Sequence, residues 1–278
     1  MIQRMVVVVC IALSVQSFKA HGYTPDWESI ESRPIPKWFA DAKFGIFIHW
    51  GVYSVPAYRT VSEKMYESYA EWYEASVMHD TLKGGQAFHR ENYGADFEYR
   101  DFAPLFKAEL WDPDYWAELF HRSGAKYVVL TSKHHDGYCL FDAKSPYSEN
   151  WNSVDVGPER DLLKELGEAV RSKGLKMGIY YSLMEWESTL RNPQWTDGVD
   201  EYYLPDSIIE KYKIKDPDFV AKHIQPQLKQ LVMDYRPSLI FADGEWDKPA
   251  SYWQSKEFLA WLFNNAPNKE EVVVNDRW

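Results

Sequence analysis

The sequence predicts an α/β fold of the (β/α)8-type TIM barrel class, truncated after about five strands. Five short runs of apolar, β-branched or aromatic residues are predicted to be strands, and helical segments lie between the later ones. Strands that are buried on both faces and alternate with helices form parallel sheets, and the even recurrence of these units favours a barrel. No Gly-x-Gly-x-x-Gly turn follows a predicted strand, which weakens the alternative of a doubly wound nucleotide-binding sheet.

The predicted strands are short and are separated by connections of very different length. They lie at residues 44–49, 127–131, 175–181, 238–242 and 271–274. The stretch 52–108 between the first two strands is a long insertion rich in Tyr and Glu. We expect this insertion to form loops with short helices that cover the mouth of the barrel.

Helix signals precede the second and third strands. Asp112 is the predicted N-cap of a helix that begins with Pro113 and ends before Gly124. A second helix is predicted over 161–173, where five apolar residues share one face. Each helix runs into a strand almost at once, so each pair forms one αβ unit.

Two further helices complete the predicted alternation. One lies within 219–235, where Pro226 marks either a kink or the true start. The other is predicted over 251–264, before the last strand. Since no strand or covering helix follows that strand, the count stops at five of eight barrel units. We expect a fragment of a longer protein, or a barrel whose missing units are supplied from elsewhere.

The composition is that of an acidic, ordered globular protein. The 278 residues include 31 Lys and Arg against 42 Asp and Glu, a formal net charge of −11. The electrostatic field of a protein with this net negative charge repels phosphates, so no nucleic-acid partner is expected. With 45% hydrophobic and 26% charged residues, the chain can bury a large core, which excludes intrinsic disorder for most of it.

Residues 1–20 are predicted to be a signal peptide, which leaves 21–278 as the incomplete barrel domain. Arg4 precedes an apolar run over 5–15, and small and polar residues follow it. This run is too short to cross a hydrocarbon core of about 30 Å, and no later segment supplies a membrane span. We therefore expect export through the secretory pathway, to the lysosome or to the extracellular fluid.

Cysteine usage argues against disulfides and against thiol catalysis. Cys10 leaves with the predicted signal peptide, so Cys139 is the single thiol of the mature chain. The neighbours of Cys139 are apolar, and it is predicted to be structural.

Polar and aromatic residues alternate just past the carboxyl ends of the predicted strands, where barrel enzymes place their working residues. The five ends carry His49-Trp50-Gly51, Lys133-His134-His135-Asp136-Gly137, Tyr180-Tyr181-Ser182 with Glu185-Trp186, Asp243-Gly244-Glu245-Trp246, and Asn275-Asp276-Arg277-Trp278. Aromatic faces cover the apolar C–H patches of a sugar, while His, Arg and carboxylates bond its hydroxyls. The mixture therefore indicates a sugar site.

Glycoside hydrolysis needs a carboxylate at the anomeric carbon. Asp243 is the candidate, because it ends a predicted strand and Gly244 follows it, which would hold its carboxylate rigidly at the mouth. The alternative is that Asp243 only caps the next turn.

Four residues besides this carboxylate need separate interpretation. His134 and His135 could bind a metal, but consecutive strand residues point to opposite sides, so a metal pair would be spaced by one residue. Contact with substrate hydroxyls is favoured, and no metal is predicted. Glu71-Trp72, in the insertion, is either a lid contact or a packed loop aromatic, and the sequence leaves both open.

These motifs together resemble a known family. Residues 38–278 resemble the α-L-fucosidases of glycoside hydrolase family 29, close to the animal lysosomal and secreted members. The markers are Lys43-Phe44-Gly45-Ile46-Phe47-Ile48-His49-Trp50-Gly51, Glu71-Trp72-Tyr73, Thr131-Ser132-Lys133-His134-His135-Asp136-Gly137, Gly178-Ile179-Tyr180-Tyr181-Ser182, Asp243-Gly244-Glu245-Trp246 and Val274-Asn275-Asp276-Arg277-Trp278. A lone His-His-Asp would be weak, whereas this ordered set is specific.

The resemblance implies a barrel followed by a C-terminal β-sandwich that is absent from these residues. It also implies hydrolysis of terminal α-L-fucose from glycans, glycoproteins or glycolipids with retention, through a covalent glycosyl-enzyme and without metal or cofactor. By position, Asp243 is the implied nucleophile. The implied fucose contacts are His49, Glu71, Trp72, His134, His135, Tyr180 and Arg277, with Tyr180 preferred over Tyr181. A homo-oligomer is considered for the full-length protein.

The resemblance places the general acid/base, a Glu, in a loop beyond the Asn275-Asp276-Arg277-Trp278 segment, so no residue of this chain is assigned that role. Glu245 lies only two residues from Asp243 and is expected to orient a neighbour or to bind sugar. The 278 residues alone are expected to be inactive. A truncated, non-catalytic, lectin-like fucose-binding protein is the alternative function.

Overall fold

A sheet of five parallel strands organises the protein in a computed structural model, which describes residues 22–61, 69–78, 84–189 and 219–278. The strands are β1 Gly45–Ile48, β2 Tyr127–Lys133, β3 Lys176–Ser182, β4 Leu239–Asp243 and β5 Val273–Val274. Each strand pairs in parallel with the next in sequence. This order is that of a (β/α) barrel wall, so the predicted fold class is confirmed.

Helices fill the connections between the strands. Within the described ranges the α-helices are Trp27–Glu31, Lys37–Ala42, Tyr73–Met78, Gly85–Tyr93, Pro113–Arg122, Leu162–Ser172, Trp186–Thr189, Gln225–Gln230, Ala250–Trp253 and Ser255–Asn265. Short 3-10 turns lie at Val52–Ser54, Ala70–Trp72, Tyr99–Leu105, Pro146–Ser148 and Glu245–Asp247.

Local sequence fixes both ends of the helix before β2 where predicted. The Asp112 carboxylate accepts a hydrogen bond from the Tyr115 N–H at 2.9 Å, which satisfies one of the free donors of the first turn. Gly124, just past the helix, has a φ of +89°, a conformation that glycine adopts without steric penalty. The chain is thereby turned back into the sheet within a few residues.

Pro226 lies in the first turn of the α-helix Gln225–Gln230, so the α-helical part of this segment begins beside the proline, as one of the two interpretations predicted. Helical backbone nevertheless runs on both sides of it, through π-helical turns at Val220–Ile224 and Leu231–Tyr235, and the predicted kink stays a prediction. Proline has no N–H to donate, and the turn before it is wider than an α-helix, with the Gln225 N–H bonded to the Val220 carbonyl. The π-turn therefore absorbs the missing bond without ending the helix.

Three other elements differ from prediction by more than a one-residue shift. The helix predicted over 251–264 is two helices, because Gln254 adopts a left-handed φ of +55° between them. β2 runs two residues past its predicted end at Thr131, to Lys133. β5 shortens to Val273–Val274.

Both faces of β2 and β3 are buried, as expected for parallel strands between layers, whereas β1 is only partly buried. One face of the sheet carries a small apolar cluster: Val129, Tyr180, Leu239 and Val273, with Trp38, Phe39, Tyr127 and Phe241 packed on it. The other face belongs to the main core beneath the helices, to which β2 and β3 contribute Val128, Leu130, Met177, Ile179 and Tyr181.

The insertion between β1 and β2 folds as short helices in its described parts, as predicted. Its own aromatic residues, among them Tyr73, Phe102 and Tyr99, are buried in the main core. The insertion is therefore fixed to the sheet by packing. No helix in the described ranges is both long enough and apolar enough to span a membrane.

Candidate active site

The carboxyl ends of β2, β3 and β4 meet at one edge of the sheet. Parallel register pairs Ser182 with Asp243 and Lys133 with Tyr181. The register between β2 and β3 shifts between Thr131 and Lys133, an irregularity of the kind that re-aims side chains next to active sites. The predicted site residues of three strands are thus brought side by side.

Two partners hold the carboxylate of Asp243. The Tyr180 hydroxyl donates to Oδ2 at 2.6 Å, and a terminal nitrogen of Arg277 lies 2.7 Å from Oδ1. The side chain of Asp243 is 13% exposed, so it opens toward the mouth. Gly244 follows with a φ of +82°, and a Cβ there would lie 2.7 Å from the Met184 Cγ, so the turn after Asp243 requires glycine.

Opposing effects act on the pKa of Asp243. Burial raises the pKa of this carboxyl above its ordinary value, while the hydrogen bond from Tyr180, the charge of Arg277 and the Gly244 N–H act to lower it. With both oxygens engaged, the carboxylate presents a fixed geometry to anything that enters the mouth.

Glu245 orients Arg277. The Nε of Arg277 lies 3.1 Å and 3.2 Å from the two carboxylate oxygens of Glu245, and the guanidinium carbon lies 4.9 Å from the centre of the Trp246 ring. One guanidinium is thereby shared between the carboxylates of Glu245 and Asp243. This agrees with the expectation that Glu245 orients a neighbour.

Aromatic and imidazole rings form a continuous wall beside Asp243. His49, after β1, stacks on Phe47 with ring centres 5.2 Å apart and leans on Tyr180 at 5.1 Å. His134 stacks on the same tyrosine at 5.4 Å with planes only 11° apart. By contrast the next residue, Tyr181, points to the helix layer and donates to the Gln227 Oε1 at 2.7 Å.

The paired histidines after β2 are held neutral. Their rings lie 4.3 Å apart, and the Nε2 of His135 lies 3.7 Å from the Asp243 Oδ2. Burial, and then the charges of neighbouring imidazoles, lower the pKa of His134 well below its ordinary value. Burial and the charge of Lys133 lower the pKa of His135 to about 3. A neutral imidazole has one donor and one acceptor, which suits the hydroxyls of a sugar.

The insertion brings two further predicted residues to this pocket. Trp72 is partly buried and packs edge-on against His135 and Trp186, with ring centres 5.8 Å and 5.7 Å away. The negative charge of Glu71 acts to raise the pKa of His49, against the larger effect of desolvation. Trp72 therefore borders the same space as the histidines, and Glu71 lies near enough for its charge to act on His49.

Sequence reasoning missed a buried charge network beneath the histidines. Lys133 is fully buried, with its Nζ 2.5 Å from the Glu185 Oε1 and 4.3 Å from the centre of the Tyr181 ring. His223 donates from Nε2 to the same oxygen at 2.7 Å. The network ties the end of β2 to the loop after β3. A lysine at the end of a predicted buried strand was the available signal, because such a charge needs a partner.

A second missed feature is a group of acids under the insertion. Glu74 and Asp136 are 1% and 3% exposed, and nearby Glu187 accepts hydrogen bonds from two nitrogens of Arg100 at 2.5 Å and 3.3 Å. The Tyr99 hydroxyl donates to Asp136 at 2.7 Å. Burial raises the pKa of Asp136 to about 7. Burial, and then the charges of Glu187 and Asp136, raise the pKa of Glu74 well above its ordinary 4.5, against the opposing charge of Arg100.

The raised pKa of Glu74 makes stability depend on pH. The folded chain keeps a proton that the unfolded chain loses above its ordinary pKa of 4.5, so the free energy of unfolding falls as pH rises past that value. In Glu74→Gln this group no longer titrates. We expect the stability of the variant relative to the parent to increase as pH rises above 4.5, by at most about 1 kcal/mol for each pH unit, until the raised pKa of Glu74 is reached. Urea denaturation between about pH 5 and pH 7 measures the difference.

Glu118→Gln is the matched control for this experiment, because Glu118 lies on the surface and its pKa is lowered by Lys173. We expect the difference in the free energy of unfolding between this variant and the parent not to grow as pH rises. A difference between Glu74→Gln and the parent that stayed constant over the range would contradict the protonation of Glu74.

Two other kinds of reactive group are a metal-binding cluster and the thiol of Cys139. Within the part of the chain that the structure describes, no group of three or more His, Cys, Asp and Glu residues is arranged to hold a metal ion. Cys139 is buried, and burial raises the pKa of its thiol to about 12, which keeps it protonated. This agrees with the structural role predicted for Cys139.

Comparison with known proteins identifies the relatives of this chain. The sequence profile of the family described as alpha-L-fucosidase matches residues 10–278. The tissue alpha-L-fucosidase of Mus musculus is 48% identical over 256 residues, which are 92% of this chain and 51% of that protein. The alpha-L-fucosidase of Dictyostelium discoideum is 42% identical over 277 residues, 99% of this chain and 56% of that protein. The chain thus spans about half the length of these curated relatives.

Solved structures agree with this relationship. A Thermotoga maritima alpha-L-fucosynthase complex superimposes with a TM-score of 0.74 at 39% identity, over 92% of this chain and 57% of that one. A Thermotoga maritima alpha-fucosidase in complex with a mechanism-based inhibitor gives a TM-score of 0.72 at 40% identity, with the same coverage. The profile match, the identities and the shared barrel wall lead to one conclusion: the chain belongs to the alpha-L-fucosidase family.

Proposed function

We propose that these residues form much of the active site of a retaining exo-glycosidase, which hydrolyses terminal α-L-fucose from glycoconjugates through a covalent glycosyl-enzyme on Asp243. The observation that carries the proposal is the carboxylate of Asp243, held at the mouth by Tyr180 on one oxygen and Arg277 on the other. Membership of the alpha-L-fucosidase family supports the choice of sugar.

The mechanism follows from the position of this carboxylate. An Asp243 oxygen bonds to the anomeric carbon as the glycosidic C–O bond breaks, and the leaving oxygen takes a proton from a general acid. Water then attacks the same carbon and gives a proton to the conjugate base of that acid, and the carboxylate departs with its original charge. Tyr180 and Arg277 oppose the effect of burial on the pKa of Asp243, so they favour the ionised form in the first step and stabilise the leaving carboxylate in the second. We assign no general acid, and Glu245 is engaged with Arg277.

Seven side chains around the carboxylate are proposed to contact the fucose. The partly buried ring of Trp72 offers a flat apolar face to the C–H patches of the sugar, whereas the buried Tyr180, stacked on His134, contributes its hydroxyl. Neutral imidazoles and the charged groups can form hydrogen bonds with its hydroxyls. The proposed contacts are His49, Glu71, Trp72, His134, His135, Tyr180 and Arg277.

The test is hydrolysis of an aryl α-L-fucoside by the full-length protein, with proton NMR of the first sugar released. We expect the α anomer of fucose to form first, since two displacements at one carbon restore its configuration. Release of the β anomer first would overturn the covalent intermediate. Fucose binding without any hydrolysis would favour the lectin-like alternative.

We also propose that the protein enters the secretory pathway and acts in the lysosome or the extracellular fluid on fucosylated glycans, glycoproteins or glycolipids. Support comes from the charged residue and apolar run at the N-terminus, which lie outside the described residues, and from the acidic composition. A cytosolic location of the full-length protein in cell fractionation would reject this reading. The homo-oligomer considered above stays a prediction.

A further inference from the structure

Ser182 is a buried residue of the site that the proposed mechanism does not use. It ends β3, is fully buried, and pairs in register with Asp243 on β4. Its hydroxyl oxygen lies 2.5 Å from the Met184 carbonyl oxygen and 2.5 Å from the Nδ1 of His135. Both neighbours are within hydrogen-bond distance of a single hydroxyl group.

Counting protons decides the direction of these two hydrogen bonds. A serine hydroxyl has one proton, and a carbonyl oxygen can only accept. The proton of Ser182 is therefore donated to the Met184 carbonyl. The second contact is then a hydrogen bond only if the Nδ1 of His135 carries a proton and donates it to the Ser182 oxygen.

The surroundings of His135 keep a second proton off the ring. The imidazole is buried, and the positive charges of Lys133 and Arg277 both act against its protonation. The Nε2 atom of this neutral ring therefore has a free lone pair, 3.7 Å from the Asp243 Oδ2. The His135 Nε2 and the Asp243 Oδ2 are two acceptor atoms that face the same space, and a hydroxyl that enters this space can donate to either.

We propose that Ser182 is a positioning residue, which holds His135 as the neutral Nδ1–H tautomer so that Nε2 accepts a hydroxyl of the bound sugar. This inference rests on the proposed function for its substrate, although the tautomer itself does not. In the other tautomer, the Nε2–H group would face the Asp243 Oδ2 from 3.7 Å, the oxygen to which Tyr180 donates. The attacking carboxylate would lose electron density, and the sugar hydroxyl would lose its acceptor.

The direct test is 15N NMR of histidine-labelled full-length protein, with the His135 signals identified by their loss in His135→Gln. We expect the proton of His135 on Nδ1 in the parent protein. In Ser182→Ala the partner of Nδ1 is gone, and we expect the proton to move at least partly to Nε2. A parent protein with the proton on Nε2 would overturn the proposal without any variant.

Kinetics give the second readout. We expect Ser182→Ala to lower kcat/KM for an aryl fucoside by about tenfold, the effect of one lost hydrogen bond to a group that contacts substrate. Ser132→Ala is the matched control, since Ser132 is equally buried. Its hydroxyl donates to the backbone carbonyl of Tyr180 at 2.7 Å and not to an imidazole. We expect Ser132→Ala to leave the tautomer of His135 unchanged.

The outcomes separate this inference from the proposed function. A parent protein that does not cleave fucosides would defeat the proposed function, while the NMR measurement would still report the tautomer. An active parent whose Ser182→Ala variant kept both the Nδ1–H tautomer and its kcat/KM would overturn the role of Ser182. Equal losses of activity in Ser182→Ala and Ser132→Ala with no change of tautomer would reduce Ser182 to a packing residue.

Discussion

Replacing Asp243 with alanine in the full-length protein is expected to lower kcat for an aryl α-L-fucoside by about 10⁴-fold or more, the scale seen when a catalytic carboxylate or nucleophile is removed. No other carboxylate among the described residues takes its place, because Glu245 is held on Arg277. The fold should survive, since Asp243 lies at the open mouth and burial already opposes its charge. Steady-state kinetics and the thermal midpoint of both proteins measure these two effects.

Asp276→Ala is the matched control for this variant. Asp276 lies next to Arg277 at the end of the neighbouring strand, but its side chain is exposed. We expect its loss to change kcat/KM by less than about threefold, in line with surface substitutions. If Asp243→Ala kept activity within about tenfold of the parent, the assignment of the nucleophile would be wrong.

Replacing Glu185 with alanine is expected to lower the free energy of unfolding by about 3–5 kcal/mol. The variant leaves the ammonium of Lys133 fully buried without the carboxylate that lies 2.5 Å away, and it removes the acceptor of His223. The charges of His223 and Lys133 also hold the pKa of Glu185 below its ordinary value, against burial. Urea denaturation of the variant and the parent near neutral pH measures the loss.

The surface pair of Glu118 and Lys173 offers a matched control with the same chemistry. Their charged atoms lie 2.8 Å apart, yet both side chains are more than a third exposed. Water replaces the lost partner there, so Glu118→Ala should change stability little. Equal effects of Glu118→Ala and Glu185→Ala would show that the Lys133 network contributes no more than a surface ion pair.

The order of strands and helices follows from the sequence because its signals are local. Asp112, Pro113 and Gly124 act within one helix, and runs such as 127–131 need only to be apolar on both faces. The local signal left two solutions open at Pro226, where the α-helix begins beside the proline and a π-turn precedes it. The error falls at Gln254, whose left-handed conformation divides one predicted helix into two.

By itself the sequence determined which residues lie at the carboxyl ends of the strands, because a parallel barrel places all these ends at one edge. That alone brings Asp243 beside His135 and Tyr180. Only the tertiary structure decided what depends on distance between separate segments: that Trp72 packs on His135, that Glu185 neutralises Lys133, and that Ser182 lies within hydrogen-bond distance of His135. Proton positions and pKa values follow from burial and from neighbours remote in the chain, and the local sequence determines neither of them.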